Sequence, residues 1–232
     1  FLLQQGHFAA DVLFFVGEAA PNGSVDDSEL RAAGYDFDMC GTDLIDKLTV
    51  DKGMIALPDG MRYRLLVLPQ TRFMTPTLAQ KIRDLVSDGA IVLAPKPELS
   101  PSLAGYPECD STVKQIADEV WGPSNQGTAG EKTFGKGRII WGRKPLQTLR
   151  QMDIAADCIA ADPKAPITFI HRTTKDADIY FVSHQDDSSR MAEVFFRVSG
   201  RQPELWNPVT GEITPSGLWR ADSQGTRVTL PL

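Results

Sequence analysis

Three short runs of consecutive apolar residues constrain this chain more than any other feature of its sequence. They lie within Asp11–Gly17 (DVLFFVG), Tyr63–Leu68 (YRLLVL) and Ala90–Ala94 (AIVLA). Runs of this length without polar alternation are typical of strands that are buried on both faces of a parallel sheet. An amphipathic helical pattern at Pro76–Ser87, with Thr75 as its N-cap, separates the second run from the third. The first part of the chain is therefore predicted to be an α/β domain.

The third run leads into a turn, residues 95–97 (PKP), that carries no nucleophile. Glutaminase-like three-layer α/β domains, whose fold is flavodoxin-like, use a Cys at the tight turn after such a strand, and this turn has no Cys, Ser or adjacent His. We therefore expect residues 1–159 to form a glutaminase-like domain that lacks a nucleophile. No elbow motif accompanies His7, His171 or His184, so these histidines are not expected to be catalytic.

The pattern changes in the last third of the chain, where strand patterns follow one another without a helical pattern between them. These patterns lie at Ile167–Arg172, Asp178–His184, Met191–Val198, Glu204–Trp206 and Thr226–Leu230. They predict a partial antiparallel β-sandwich domain over residues 167–232, with too few strands to close a sandwich alone. Residues 160–166 are the predicted linker, and one continuous α+β domain is the alternative.

Composition argues against several classes of partner. The 232 residues are 42% hydrophobic and 23% charged, as in ordinary globular proteins, and their net charge is −6. This charge and the lack of a long basic cluster argue against nucleic acid. No apolar run approaches the ~20 residues that span a membrane. Cys40, Cys109 and Cys158 fit neither a zinc pattern nor a disulfide framework, and neither a metal nor a cofactor is expected.

Glu18, Asn22 and Asp36 are the candidate substrate-contact residues, and no residue is a candidate for catalysis. Glu18 and Asn22 lie on the loop after the first strand, and ligands of open α/β sheets bind at the carboxyl ends of strands. Asp36 and Asp38 are two residues apart on a predicted strand and would face the same way, ~6–7 Å apart, as in glycosidase carboxylate pairs. An ordinary surface loop and a pair of capping or solvent-facing aspartates are the alternatives.

Nearly the whole chain resembles the region that follows the catalytic barrel in glycoside hydrolase family 106, a family of large α-L-rhamnosidases. No single motif is diagnostic, and the resemblance rests on the order and number of the matching stretches. These are 2–6 (LLQQG), 10–13 (ADVL), 17–22 (GEAAPN), 34–38 (GYDFD), 57–61 (LPDGM), 63–69 (YRLLVLP), 100–107 (SPSLAGYP), 169–172 (FIHR), 176–183 (DADIYFVS) and 204–212 (ELWNPVTGE).

The resemblance implies that the catalytic carboxylates belong to a barrel upstream of Phe1 in the same polypeptide. The chain would then be a non-catalytic C-terminal region, inactive alone, of an enzyme that acts on rhamnose-containing carbohydrate. It also implies a secreted or periplasmic parent enzyme. In such a parent we expect the loop Glu18–Asn22 to pack against the barrel, and Glu18→Ala to lower kcat/KM if the loop touches substrate.

Two other functions remain open from the sequence. An independent carbohydrate-binding or oligomerisation module is favoured by the tryptophans, of which Trp206 and Trp219 lie in turn-rich β segments. Trp121 and Trp141, in contrast, fall on predicted core faces. An intact amidotransferase-like enzyme is a more remote alternative, because the nucleophile elbow is missing.

Overall fold

The computed structural model describes residues 1–21, 23, 25–123, 128–163, 165–184, 186 and 189–232, so the candidate Asn22 lies outside the described residues. The chain folds as two compact units. An α/β unit consists of residues 10–27 and 37–152, and a β-rich unit consists of residues 1–9, 28–36 and 153–232. None of the described helices is both long and apolar enough to cross a membrane.

The described residues form 18 strands and five α-helices. In chain order the strands are β1 (His7–Phe8), β2 (Val12–Phe15), β3 (Phe37–Cys40), β4 (Thr49–Asp51), β5 (Met54–Ala56), β6 (Arg62–Tyr63), β7 (Leu65–Val67), β8 (Ile91–Leu93), β9 (Gly130–Phe134), β10 (Gly137–Trp141), β11 (Cys158–Ala160), β12 (Ile167–Thr173), β13 (Asp178–His184), β14 (Met191–Phe196), β15 (Glu204–Trp206), β16 (Ile213–Pro215), β17 (Trp219–Ala221) and β18 (Thr226–Pro231). The helices are α1 (Ser28–Ala32), α2 (Thr42–Ile45), α3 (Pro76–Asp88), α4 (Glu108–Trp121) and α5 (Pro145–Gln151).

A six-stranded sheet in the order β3-β2-β7-β8-β10-β9 forms the centre of the α/β unit. Its first five strands are parallel, and β9 pairs antiparallel with β10 at the edge. Numbered along the chain, the parallel strands follow the order 2-1-3-4-5, one of the two common orders of doubly wound sheets. The α/β class predicted from the buried runs is confirmed.

Both faces of this sheet are buried, which explains why its strands read as continuous apolar runs. Side chains that belong to one hydrophobic cluster with residues of α3 and α4 are at most 1% exposed: Leu13, Leu66, Val92 and Ile139. Successive strand residues point to opposite faces. The neighbours of these four, which point to the other face, are equally buried: Val12, Leu65, Leu93 and Ile140.

Local signals set the ends of α3, the helix that the sequence predicts best. The Thr75 hydroxyl accepts a hydrogen bond from the Leu78 backbone N–H at 3.2 Å, and Pro76 occupies the first turn. Gly89 ends the helix with a φ of 126°, a conformation that favours glycine. The second long helix, α4, begins at Glu108. Acidic residues in its first turn stabilise the helix by interacting with the positive end of its dipole.

The β-rich unit contains three sheets in the described residues, with the orders β1-β12-β13, β11-β14-β18-β17 and β15-β16. The strands predicted at 167–172, 178–184 and 204–206 are present, and the pairings within these sheets are antiparallel. A buried cluster that includes Cys158, Val194 and Val228 forms a core of this unit.

The division of the structure differs from the predicted bounds of 1–159 and 167–232. Residues 1–9 join the β-rich unit because β1 pairs with β12, with His7 opposite Thr173. Residues 28–36 join it because the Gly34 carbonyl accepts hydrogen bonds from the backbone N–H groups of Asp157 and Cys158. The predicted linker overlaps β11, which pairs with β14. These contacts are distant in sequence, so local patterns do not reveal them.

Candidate functional site

The carboxyl ends of β2, β7 and β8 and the start of α3 enclose the place where open α/β sheets bind ligands. A cavity lies there, lined largely by apolar side chains such as Phe15, Leu68 and Met74, and its volume is about 20 Å³. A space of this size accommodates about one water molecule. This cavity therefore has no room for a monosaccharide.

Glu18 lies on the loop that follows β2 and borders this cavity. Its carboxylate binds Thr75, the N-cap residue of α3. The Thr75 backbone N–H donates to one carboxylate oxygen at 2.9 Å, and the Thr75 hydroxyl donates to the other at 2.5 Å. A negative charge at the N-terminus of a helix is stabilising. The structure thus gives Glu18 a role in holding the loop to α3, and its contact with substrate stays a prediction.

Glu18→Ala is expected to lower the free energy of unfolding of this chain by about 1–2 kcal/mol. The change removes both hydrogen bonds to Thr75 and leaves the first turn of α3 less well capped. Urea unfolding followed by circular dichroism measures the difference. Glu98→Ala is the matched control, because Glu98 forms an exposed ion pair with Arg72. Equal stability of the two variants would contradict the capping role.

The turn after β8, where a nucleophile would lie, is occupied by a structural ion pair. Lys96 donates from Nζ to the Asp118 carboxylate and to the Gly122 carbonyl, each at 2.5 Å. The hydrogen bond from Lys96 lowers the pKa of Asp118. The indole N–H of Trp121 donates to the Ala94 carbonyl at 3.1 Å. These contacts bind the turn to the C-terminal end of α4.

The three cysteines are free and buried: Cys40, Cys109 and Cys158. Burial, together with the nearby Asp38 and Asp43, raises the pKa of the Cys40 thiol to about 12. Burial also raises the pKa of Cys158. The reactive thiolate is therefore disfavoured at both positions.

Asp36 and Asp38 have separate partners. Asp36 precedes β3 rather than lying on it, is 9% exposed, and has an oxygen 3.7 Å from Nε of Arg31. Asp38 accepts a hydrogen bond at 2.9 Å from the hydroxyl of Tyr63. Burial and the charge of Asp38 raise the pKa of Tyr63. A role for Asp36 in substrate contact remains a prediction.

A cluster of charged side chains lies buried in the β-rich unit around His171 on β12. Its Nδ1 is 2.8 Å from Oδ2 of Asp157, and its Nε2 is 3.1 Å from Oδ1 of Asp178. The ring stacks on Tyr180 with centroids 4.0 Å apart, and the Tyr180 hydroxyl donates to Asp157 at 2.9 Å. We call His171, Asp157, Asp178 and Tyr180 the histidine cluster.

The histidine cluster favours the protonated form of His171. Burial alone would lower the pKa of the imidazole, but the hydrogen bonds and charges of Asp157 and Asp178 outweigh burial and raise it. An imidazolium donates from both ring nitrogens, which matches two carboxylate partners. Arg201 lies 2.8 Å from Asp178, and Arg197 lies 3.6 Å from Asp157. The polar side chains of the histidine cluster bind one another and these two arginines, which indicates a structural role.

Part of this cluster could have been found in the sequence. The turn between Thr173 and Asp178 pairs β12 with β13 so that His171 lies directly opposite Tyr180. Asp178 is then the diagonal neighbour of His171 on the same face. Asp157, in contrast, comes from an irregular segment before β11, and no local pattern points to it. The described residues contain no group of three or more His, Cys, Asp or Glu side chains arranged to hold a metal ion.

Comparisons with known proteins found two relatives that match the whole chain. A rhamnosidase structure from Novosphingobium sp. PP1Y is similar at a TM-score of 0.86 and 33% identity, over 100% of this chain and 22% of that chain. A putative beta-glucuronidase of Formosa agariphila is 39% identical over 233 residues, which are 100% of this chain and 19% of that protein. A GH42 β-galactosidase structure, a catalytic mutant from G. stearothermophilus, shares the fold alone, with a TM-score of 0.51 at 10% identity.

The first two of these relatives are much larger than this chain, which spans about a fifth of their length. The family model for glycoside hydrolase family 106, described as alpha-L-rhamnosidase, matches residues 1–218. The match covers the α/β unit and most of the β-rich unit, including the carboxyl edge of the sheet and the histidine cluster. The chain therefore belongs to glycoside hydrolase family 106, the α-L-rhamnosidase family.

Proposed function

We propose that this chain is a non-catalytic C-terminal region of a larger α-L-rhamnosidase. Residues outside the chain, in an upstream barrel, would hydrolyse terminal α-L-rhamnosyl groups. The observation that carries the proposal is the carboxyl edge of the sheet, where Lys96 is bound by Asp118 and the cavity holds about 20 Å³. The lengths of the relatives support a parent enzyme with a large additional part.

The finer fold assignment belongs to the same proposal. A glutaminase-like three-layer domain requires a parallel sheet covered on both faces, and the strand order 2-1-3-4-5 and the burial of both faces support it. Loss of the nucleophile leaves such a domain free to serve as a scaffold. A secreted or periplasmic location of the parent enzyme is a further part of the proposal, and fractionation of the source cells tests it.

An aryl α-L-rhamnoside assay tests the placement of catalysis. We expect no turnover by the isolated chain and turnover by the parent enzyme. The decisive variants are Asp36→Asn, Asp38→Asn and Glu18→Gln, made in the isolated chain. If the isolated chain hydrolyses the rhamnoside and any one of these substitutions abolishes that activity, the proposal is overturned, because the chemistry then lies within this chain.

A carbohydrate-binding module is the second candidate, and two half-exposed tryptophans favour it. Trp206 on β15 is 49% exposed and Trp219 on β17 is 41% exposed, whereas Trp121 is buried, as predicted. Exposed indole rings stack on the apolar faces of sugars. Calorimetry of the isolated chain with a rhamnose-containing oligosaccharide tests this function. A heat of binding that is lost in Trp206→Ala or Trp219→Ala would support this function. The absence of any heat of binding at millimolar ligand would reject it.

A further inference from the structure

A second, larger cleft lies in the α/β unit, and it shares no lining residue with the cavity beside Glu18. It opens between the hairpin β9–β10 and the helix α5, and its volume is about 280 Å³. Small-ligand sites begin near 300 Å³, so this cleft is on the scale of one sugar ring. The cavity at the carboxyl edge is more than tenfold smaller. We call this space the edge cleft.

The edge cleft is lined by residues of β9, β10 and α5 and of the segments next to α5. Ile140 on β10 is buried, as are Leu146 and Leu149 on α5. Glu131 on β9 lies directly opposite Ile140 in the strand pairing, so it faces the same side of the sheet. Thr148 and Gln151 on the seven-residue helix α5 line the same space as Glu131.

The polar lining of the edge cleft carries more positive than negative charge. Arg138 and Arg143 supply two guanidinium groups, Glu131 supplies one carboxylate, and Gln151 supplies an amide. Nη1 of Arg143 donates to Glu131 at 2.6 Å, and Nη1 of Arg138 is 3.6 Å from the other oxygen of Glu131. Glu131 therefore holds both guanidinium groups at the cleft and neutralises only one of them.

We infer that the edge cleft binds an acidic monosaccharide unit through its carboxylate or sulfate group. A guanidinium has five N–H donors, and one carboxylate engages only part of the donors of Arg138 and Arg143. A planar guanidinium group binds a carboxylate or a related oxyanion through two parallel hydrogen bonds. Glu131 and Gln151 are then positioned for the hydroxyl groups of the same ring. The inference concerns a site within this chain and is independent of where the parent enzyme performs catalysis.

Calorimetry with the 232-residue chain tests the inference with four probes. Glucuronate and glucose 6-sulfate carry the two acidic groups, glucose lacks an acidic group, and inorganic sulfate lacks the ring. We expect a dissociation constant on the order of 1 mM for at least one acidic sugar and no detectable heat with glucose. Binding of only one acidic sugar identifies which group the site prefers. No binding of either acidic sugar, or equal binding of inorganic sulfate, would overturn the inference.

Two substitutions locate the binding. Arg143→Met is expected to weaken binding of the acidic sugar by at least about tenfold, because it removes a charged donor and keeps an unbranched apolar stem. Arg220→Met is the matched control, since Arg220 pairs with Glu193 on the β-rich unit at 3.0 Å. Thermal unfolding verifies that both variants fold. Binding that survives Arg143→Met, or that is lost in Arg220→Met, would also overturn the inference.

Discussion

Asp157→Ala is expected to lower the free energy of unfolding of the β-rich unit by about 3–5 kcal/mol, the range found when one partner of a buried ion pair is removed. The Asp157 side chain is buried, and its two oxygens hold His171 at 2.8 Å and the Tyr180 hydroxyl at 2.9 Å. Alanine leaves both groups without this partner in a place from which water is excluded. Urea unfolding followed by tyrosine fluorescence measures the loss.

Asp176→Ala serves as the control for this prediction. Asp176 lies in the exposed turn between β12 and β13, in the same unit as the histidine cluster. Loss of its carboxylate should leave the unfolding midpoint nearly unchanged, as is usual for surface substitutions. If Asp157→Ala is as stable as Asp176→Ala, the histidine cluster contributes nothing to the fold.

The stability of this chain is expected to fall as the pH rises through the folded-state pKa of His171. That pKa lies above the ordinary histidine value of about 6.5, because two carboxylates hold the imidazolium. A group with a raised folded-state pKa contributes its full stabilisation below the unfolded pKa and loses it above the folded pKa. The pKa of Asp178 is lowered, so its own contribution is lost only in acid, as the pH falls below about 3.9.

His171→Gln separates this effect from other titrations. Glutamine is neutral and removes the buried cation that Asp157 and Asp178 share, so we expect a loss of about 3–5 kcal/mol at pH 5.5. The loss should shrink at alkaline pH, where His171 of the original chain is itself neutral. His7→Gln is the control, because His7 is exposed on β1. An equal loss of unfolding free energy at pH 5.5 and at alkaline pH would contradict the assignment of His171 as an imidazolium.

Local chemistry explains which elements the sequence predicts well. The helix α3 ends within one residue of its predicted end, because Thr75, Pro76 and Gly89 each act on neighbouring backbone groups. The runs that become β2 and β8 are recognisable because they are buried on both faces and need no alternation. The hairpin of β12 and β13 follows from a short turn between two strand patterns.

The elements that escape prediction depend on partners far away in the sequence. The strand β1 has two residues and exists because β12 offers an edge to it, and β11 has three residues that pair with β14. The candidate site residues show the same difference between local and distant contacts. Sequence places Glu18 at the carboxyl edge of the sheet, but only the structure reveals that Thr75 occupies both of its oxygens.

The composition of the β-rich unit from three separate segments has a consequence for how the chain folds during synthesis. Arg172 donates hydrogen bonds to the carbonyls of Gln5 and Gly6, and Gln5 lies 167 residues earlier in the chain. Residues 1–9 must therefore wait until residues 153–232 have left the ribosome before the β-rich unit can form. Contacts of such high sequence separation slow folding. A fragment of residues 10–152 should fold earlier and faster than any fragment that needs both ends of the chain.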